Sequence, residues 1–206
     1  MSQPHSEAGI KLAIFASGAG SNAQKLIEYF SVEGTGNQKI NIGLVVSNKL
    51  EAGVLNIAAA YQVPTLIIDK DRFFKGDAYV KELQGAGIDF IVLAGFLWKV
   101  PAKLIQAYPG TIVNIHPALL PKYGGKGMYG HFVHEAVIQN KELESGITIH
   151  IVDEQYDHGA PLFQATCPVL ANDTADTLAT RIHQLEHAHY PQQVEKAVKA
   201  AFPEAL

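Results

Sequence analysis

Short apolar runs recur along this chain, each separated from the next by room for one amphipathic helix. That alternation is the mark of βαβ units wound into a mostly parallel sheet. Strands are expected at residues 11–16, 40–47, 65–68, 90–94, 111–115, 146–152 and 162–168. Helices are expected at 22–30, 53–61, 72–84, 101–107 and 132–140, with helix propensity returning for 175–190 and again after Pro191. The near-continuous aliphatic residues of 88–93 suit a strand covered by helices on both faces. Residues 146–152 instead alternate Ile147, Ile149 and Ile151 with Thr148 and His150, so one face of that strand is expected to meet a solvated cleft. The expected fold class is α/β: an open, mostly parallel twisted sheet of about seven strands, Rossmann-like, with helices on both faces.

A chain of 206 residues suits one sizeable core, so residues 10–206 are expected to form a single domain after a flexible N-terminus at 1–9. The net charge of −4 argues against nucleic acid as a partner, because phosphate-backbone binding needs clustered Lys and Arg. Any phosphate bound should be a small one. Cys167 is the only cysteine, which rules out an intramolecular disulfide and speaks for a reduced compartment. With neither a signal-peptide pattern nor an apolar stretch of membrane-spanning length, a cytoplasmic protein without membrane contact is expected. Periodicity does not choose between monomer and homodimer.

Three groups of residues carry chemistry. Asn114 and His116 lie two apart at the end of a predicted strand and share a face, and Asp157 follows in Tyr156-Asp157-His158-Gly159. An amide that donates to an oxyanion, an imidazole that donates or shuttles a proton and a carboxylate that accepts one make a toolkit for acyl transfer. A carboxylate in a partly desolvated cleft is expected to have a raised pKa, giving rate an ascending limb near neutrality. Ser17-Gly18-Ala19-Gly20-Ser21-Asn22 runs from the first strand into a helix, where free backbone N–H groups favour an anion. The same residues also read as a tight, capped turn without a ligand. The sequence Val45-Val46-Ser47-Asn48-Lys49 lacks the acidic ribose contact of a dinucleotide site, and no P-loop motif occurs. Gly95, Phe96, Leu97 and Trp98 end the fourth strand, and the three apolar side chains read either as core or as a wall for a flat heteroaromatic ligand. Among nine histidines, His183 and His187 can share a helix face, but no carboxylate-spaced third ligand accompanies them and no metal is expected. His131, His134, His150 and His158 read as hydrogen-bonded or exposed. The glycine-rich stretch 117–130 reads as a mobile loop beside the site.

With these motifs in order, joined by Asn114-Ile115-His116-Pro117-Ala118-Leu119-Leu120-Pro121-Lys122-Tyr123 and Glu186-His187-Ala188-His189-Tyr190-Pro191, the chain resembles the folate-dependent glycinamide ribonucleotide formyltransferases from Leu12 to about Val194. The resemblance implies the formyltransferase fold and a formyl donor, 10-formyltetrahydrofolate, with glycinamide ribonucleotide as acceptor. It implies Asn114, His116 and Asp157 as the catalytic trio. It puts the ribonucleotide on Gly20, Ser21, Asn22, Gly95, His183 and Glu186, and the folate on Phe96, Leu97, Trp98, Val100, Val152 and Asp153. Trp98-Lys99, His158, His183 and Gly124-Gly125-Lys126-Gly127-Met128-Tyr129 depart from the commonest family pattern. A hydrolase of the same donor, a tRNA-directed formyltransferase and a non-catalytic phosphate binder are the alternatives.

Overall fold

The computed structural model describes residues 9–205, so all but Gly9 of the segment expected to be flexible lies outside the described residues. The strands are β1 (Ile10–Phe15), β2 (Ile40–Ser47), β3 (Thr65–Ile67), β4 (Phe90–Leu93), β5 (Ile112–His116), β6 (Glu144–Ile151) and β7 (Pro161–Pro168). The helices are α1 (Ser21–Phe30), α2 (Gly53–Ala60), α3 (Lys70–Lys75), α4 (Val80–Gly85), α5 (Ala102–Ala107), α6 (His131–Gln139) and α7 (Ala175–Ala201). One seven-stranded sheet results, in the order β3-β2-β1-β4-β5-β6-β7. The pairings from β3 to β5 are parallel, while β6 and β7 are added antiparallel.

Period-two alternation divides each central strand between two cores. Ile10, Leu12 and Ile14 enter a core shared with α1, α2, α6 and α7, while Ala13 and Phe15 enter one shared with α3, α4 and α5. Each fully buried Ile, Leu or Phe contributes about 1.5–3 kcal/mol by leaving water. The chain leaves β1 towards β2 and β3 and then crosses back to β4, so the order reverses between β1 and β4. A crevice opens there at the carboxyl ends of the strands. Across it the Ser17 N–H donates to the Gly95 carbonyl (3.1 Å) and the Leu97 N–H to Ser17 Oγ (2.9 Å).

Three details differ from the sequence reading. The single helix expected at 72–84 is two, α3 and α4, because Ala78 and Tyr79 turn through positive φ (54° and 61°) to bury both side chains. Conversely, α7 runs through Pro191 without interruption. The proline costs it one backbone hydrogen bond, but Tyr190, Pro191, Val194 and Val198 are all buried and the Tyr190 hydroxyl donates to the Leu93 carbonyl (2.7 Å). A Thr174–Thr177 capping box starts the helix. Third, the polar face of β6 is divided: His150 lines the crevice, as expected, whereas Thr148 is closed off. Thr148 is fully buried, its hydroxyl donating to Ala118 O and accepting from Leu120 N, so the segment after His116 lies over it. Among the described residues, no helix is long and apolar enough to cross a membrane.

Candidate active site

A cleft of about 730 Å³ occupies the crevice. The Ser17–Asn22 turn, Leu93 to Val100, the end of β5, Gly125 to Gly130, the β6–β7 loop, His183 and Glu186 all line it. Every residue expected in the catalytic trio, the ribonucleotide site and the folate site therefore reaches one cavity.

Antiparallel pairing sets the reacting end. Asn114 lies opposite His150 and His116 opposite Thr148, so four polar side chains share one face. Asp157 comes to them from the β6–β7 loop with φ 53°, a left-handed conformation that Asp tolerates better than most residues. Its Oδ2 accepts from the Gly125 N–H (2.8 Å) and lies 3.7 Å from His116 Nδ1, while Oδ1 lies 3.7 Å from His150 Nε2. Gly159, two residues on, packs so tightly against the Ile151 carbonyl that no Cβ fits, which holds this turn in place.

Burial pushes the Asp157 carboxyl upward, but His150, His116 and the Gly125 amide outweigh it, and the group sits below its ordinary value. The raised pKa expected from the sequence is thus corrected: an amide donor and two imidazoles surround the carboxylate rather than apolar surface alone. His116 is lowered too, burial prevailing over the opposing pull of Asp157 and the Tyr123 carbonyl. At neutral pH the pair is a carboxylate facing a neutral imidazole, not an ion pair. His116 Nε2 lies 2.8 Å from the Tyr123 carbonyl, which can only accept, so Nε2 carries the proton and donates it there. The 123–125 segment thus holds two of the three expected catalytic groups, one by a carbonyl and one by an amide.

At the other end, α1 begins at Gly20 with no side-chain cap and no acidic residue in its first turn, leaving its N-terminal amides to an anion. Gly20 itself is glycine for packing reasons: φ is +86° and a Cβ would come within 2.7 Å of the Val54 side chain. Gly18 has open space instead, so there the missing side chain leaves backbone accessible. Gly20→Ala is expected to cost about 1–3 kcal/mol through overpacking and strain. A denaturant midpoint equal to that of the unsubstituted protein would show that the turn relaxes freely. Asn22 does not cap the helix: its Nδ2 donates to Glu186 Oε2 (2.8 Å), while its Oδ1 is buried without a partner. Glu186 is itself buried, and burial raises its pKa. His183 is exposed at the cleft edge and stacks on His187 (6.4 Å between ring centroids).

The apolar wall is both core and lining. Phe96 meets Phe15 and Phe73 edge to face (5.3 and 5.8 Å), and Trp98 leans on Phe73 and Phe74. Leu97 is 42% exposed to the cleft, whereas Val100 is buried. Val152 donates its N–H to the Ile112 carbonyl, and Asp153 accepts from the Gln155 N–H and pairs with His158 (3.1 Å). His158 thus acts on the turn before Asp157 rather than in the cleft. Lys49, His134 and Met128 line the cavity without having been expected in the site. His134 is buried with an unpartnered Nδ1, and burial brings its pKa down to about 4. The missed residue closest to the chemistry is His150. Its signal was the β5–β6 register, which a strand-by-strand reading does not contain. Among the described residues, no three His, Cys, Asp or Glu side chains group to hold a metal.

Comparison with known proteins gives the family and the fold. A family model described as formyl transferase matches residues 10–194. The chain is 42% identical over 189 residues to the chloroplastic phosphoribosylglycinamide formyltransferase of Arabidopsis thaliana, a match covering 89% of this chain and 64% of that protein. It is 33% identical over 190 residues to the phosphoribosylglycinamide formyltransferase of Bacillus subtilis, covering 90% of this chain and 93% of that one. The crystal structure of phosphoribosylglycinamide formyltransferase from Bacillus halodurans superposes with a TM-score of 0.80 at 34% identity, covering 93% and 96% of the two chains. The chain spans less than two thirds of the plant relatives, 64% of the Arabidopsis protein and 60% of that from Vigna unguiculata.

Proposed function

The chain belongs to the formyl transferase family, and from that premise we propose that it transfers the formyl group of 10-formyltetrahydrofolate to the amino group of glycinamide ribonucleotide. The products are N-formylglycinamide ribonucleotide and tetrahydrofolate, a step of purine biosynthesis. The observation that carries the reading is a single cleft lined by an uncapped helix N-terminus, an aromatic wall and Asn114, His116 and Asp157.

The phosphate lies on the amides of Ser21 and Asn22, with Gly95 and His183 beside it. Glu186 takes ribose hydroxyls, which a carboxylate binds and a phosphate would avoid. The flat donor ring lies against Phe96, Leu97, Trp98 and Val100, its polar edge on the backbone of Val152 and Asp153. The substrate amine adds to the formyl carbon, and Asn114 donates to the oxygen that becomes an oxyanion. Asp157, ionised at neutral pH, takes the proton the amine sheds. As the old carbon–nitrogen bond breaks, the departing folate nitrogen takes up the proton that Asp157 accepted and the carbonyl re-forms. His116 adds its help when its Nε2–H turns from the Tyr123 carbonyl to the substrate or when Nδ1 is protonated. Loop 123–130 thereby governs how many donors face the substrate.

The test is release of formyl groups from 10-formyltetrahydrofolate by the purified protein, with and without glycinamide ribonucleotide. Acceptor-dependent release with matching formation of the formylated ribonucleotide is the expected result. Equal release without acceptor would make the protein a hydrolase, and no release in either case would overturn the reading.

A further inference from the structure

The amide of Asn114 has two chemically opposite ends. Only its NH2 end can stabilise an oxyanion; its oxygen would repel one. A half-turn about the last side-chain bond exchanges the two with little change of shape, so packing alone does not select the useful orientation. A neighbour that only donates or only accepts is required.

We propose that His150 is that neighbour: a positioning residue that fixes the orientation of the Asn114 amide. The inference rests on the reading of Asn114 as the oxyanion donor. His150 Nδ1 lies 2.9 Å from the Ile151 carbonyl. A carbonyl has no proton to give, so Nδ1 carries the hydrogen and donates it. In the neutral ring Nε2 is then bare and acts as an acceptor. Asn114 Nδ2 lies 3.1 Å from that Nε2 and donates one N–H to it, which leaves the second N–H for the cleft. With the amide turned over, Oδ1 would face the Nε2 lone pair, acceptor against acceptor.

The arrangement is held from several sides. His150 is 2% exposed and stands opposite Asn114 in the β5–β6 ladder, so the ring has little freedom to leave. The ionisable groups that face it are Asp157, with Oδ1 3.7 Å from Nε2, and the ring of His116 beyond. Asp157 works against the arrangement, since its charge favours a proton on Nε2. That proton would make Nε2 a donor and draw the amide oxygen towards it. The preference for Nδ1–H is also the reverse of what a free imidazole side chain favours, so it is imposed by the Ile151 carbonyl.

Two substitutions separate this role from packing. His150→Phe keeps a ring of similar volume without an acceptor, whereas His150→Gln fills the space less well but can bring Oε1 to where Nε2 stood. His150→Phe is expected to lose about 10²-fold in kcat with KM for both substrates little changed, the size of effect seen when one oxyanion donor is lost. His150→Gln is expected to keep most of that activity. A packing role reverses the order, so Phe equal to or better than Gln overturns the proposal. In the double variant with Asn114→Ala, His150→Phe should add nothing to the loss from Asn114→Ala alone; an independent further loss overturns it. Nitrogen-15 NMR of the ring in the unsubstituted protein reads the tautomer without any assay. Nδ1 protonated and Nε2 bare at neutral pH is expected, and a protonated Nε2 overturns the proposal. Should Asn114→Ala turn over at the full rate, the oxyanion reading fails instead, and the NMR result still decides the orientation.

Discussion

Replacing Asp157 by asparagine is expected to slow formyl transfer by about 10²- to 10⁴-fold, the range that a positioned acid–base group contributes, while both substrates still bind. The substitution is suited to the question because it changes little else. Asparagine adopts the left-handed conformation that residue 157 requires (φ 53°), and its side-chain oxygen can still accept from the Gly125 N–H. What disappears is the charge and the capacity to take a proton from the attacking amine. Single-turnover kinetics would isolate the chemical step, and a rate equal to that of the unsubstituted enzyme would remove Asp157 from the mechanism.

The pH dependence follows from the same geometry, with a sign opposite to that of the isolated motif. Because the Asp157 carboxyl lies below its ordinary value, it is ionised throughout the neutral range and gives the rate no limb there. A limb near neutrality belongs to another group. For stability, a depressed carboxylate contributes fully above its unfolded pKa and loses that contribution as pH falls through the lower folded value. Asp157→Asn should therefore be less stable than the unsubstituted protein at neutral pH, and the two should converge in acid.

The architecture was legible because each local signal agreed with the global one. The strand at 40–47 falls where it was expected, and the glycine turn after the first strand does open a helix. Failures came where a local signal yields to a tertiary one. Pro191 sits inside a helix because burial on both sides of it compensates a lost hydrogen bond. The alternation of Thr148 and His150 was real and His150 lines the cleft, but Thr148 is closed off because the segment after His116 crosses it. The site shows the same division. Residue types and spacing announce Asn114, His116 and Asp157, whereas the contact of His150 with Asn114, the Tyr123 carbonyl on His116 and the direction of the Asp157 shift arise from pairings across 7 to 41 positions in sequence. Such pairings leave no periodic trace.

Glu186→Gln is expected to make the protein more stable and the enzyme worse. Glu186 lies in α7 at 5% exposure, held by the Asn22 amide, and burial raises its pKa. A carboxyl whose folded pKa is raised contributes its full stability below the unfolded value and loses it as pH rises through the folded one. Glutamine has the same shape, still accepts from Asn22 Nδ2 and never ionises. The variant should therefore match the unsubstituted protein in acid, gain on it as pH rises through the Glu186 pKa and keep a constant advantage beyond. The functional cost has the opposite sign. Hydrogen bonds from ribose hydroxyls to a charged acceptor are worth about 1.5–3 kcal/mol, so KM for glycinamide ribonucleotide should rise by about 10- to 100-fold while KM for the folate stays put. Thermal unfolding across pH and the two KM values measure both arms. A variant destabilised at neutral pH would refute the burial cost, and an unchanged ribonucleotide KM would take Glu186 out of the acceptor site. The outcome expected, greater stability with weaker binding, is the pattern of a charge kept buried for what it binds rather than for what it holds together.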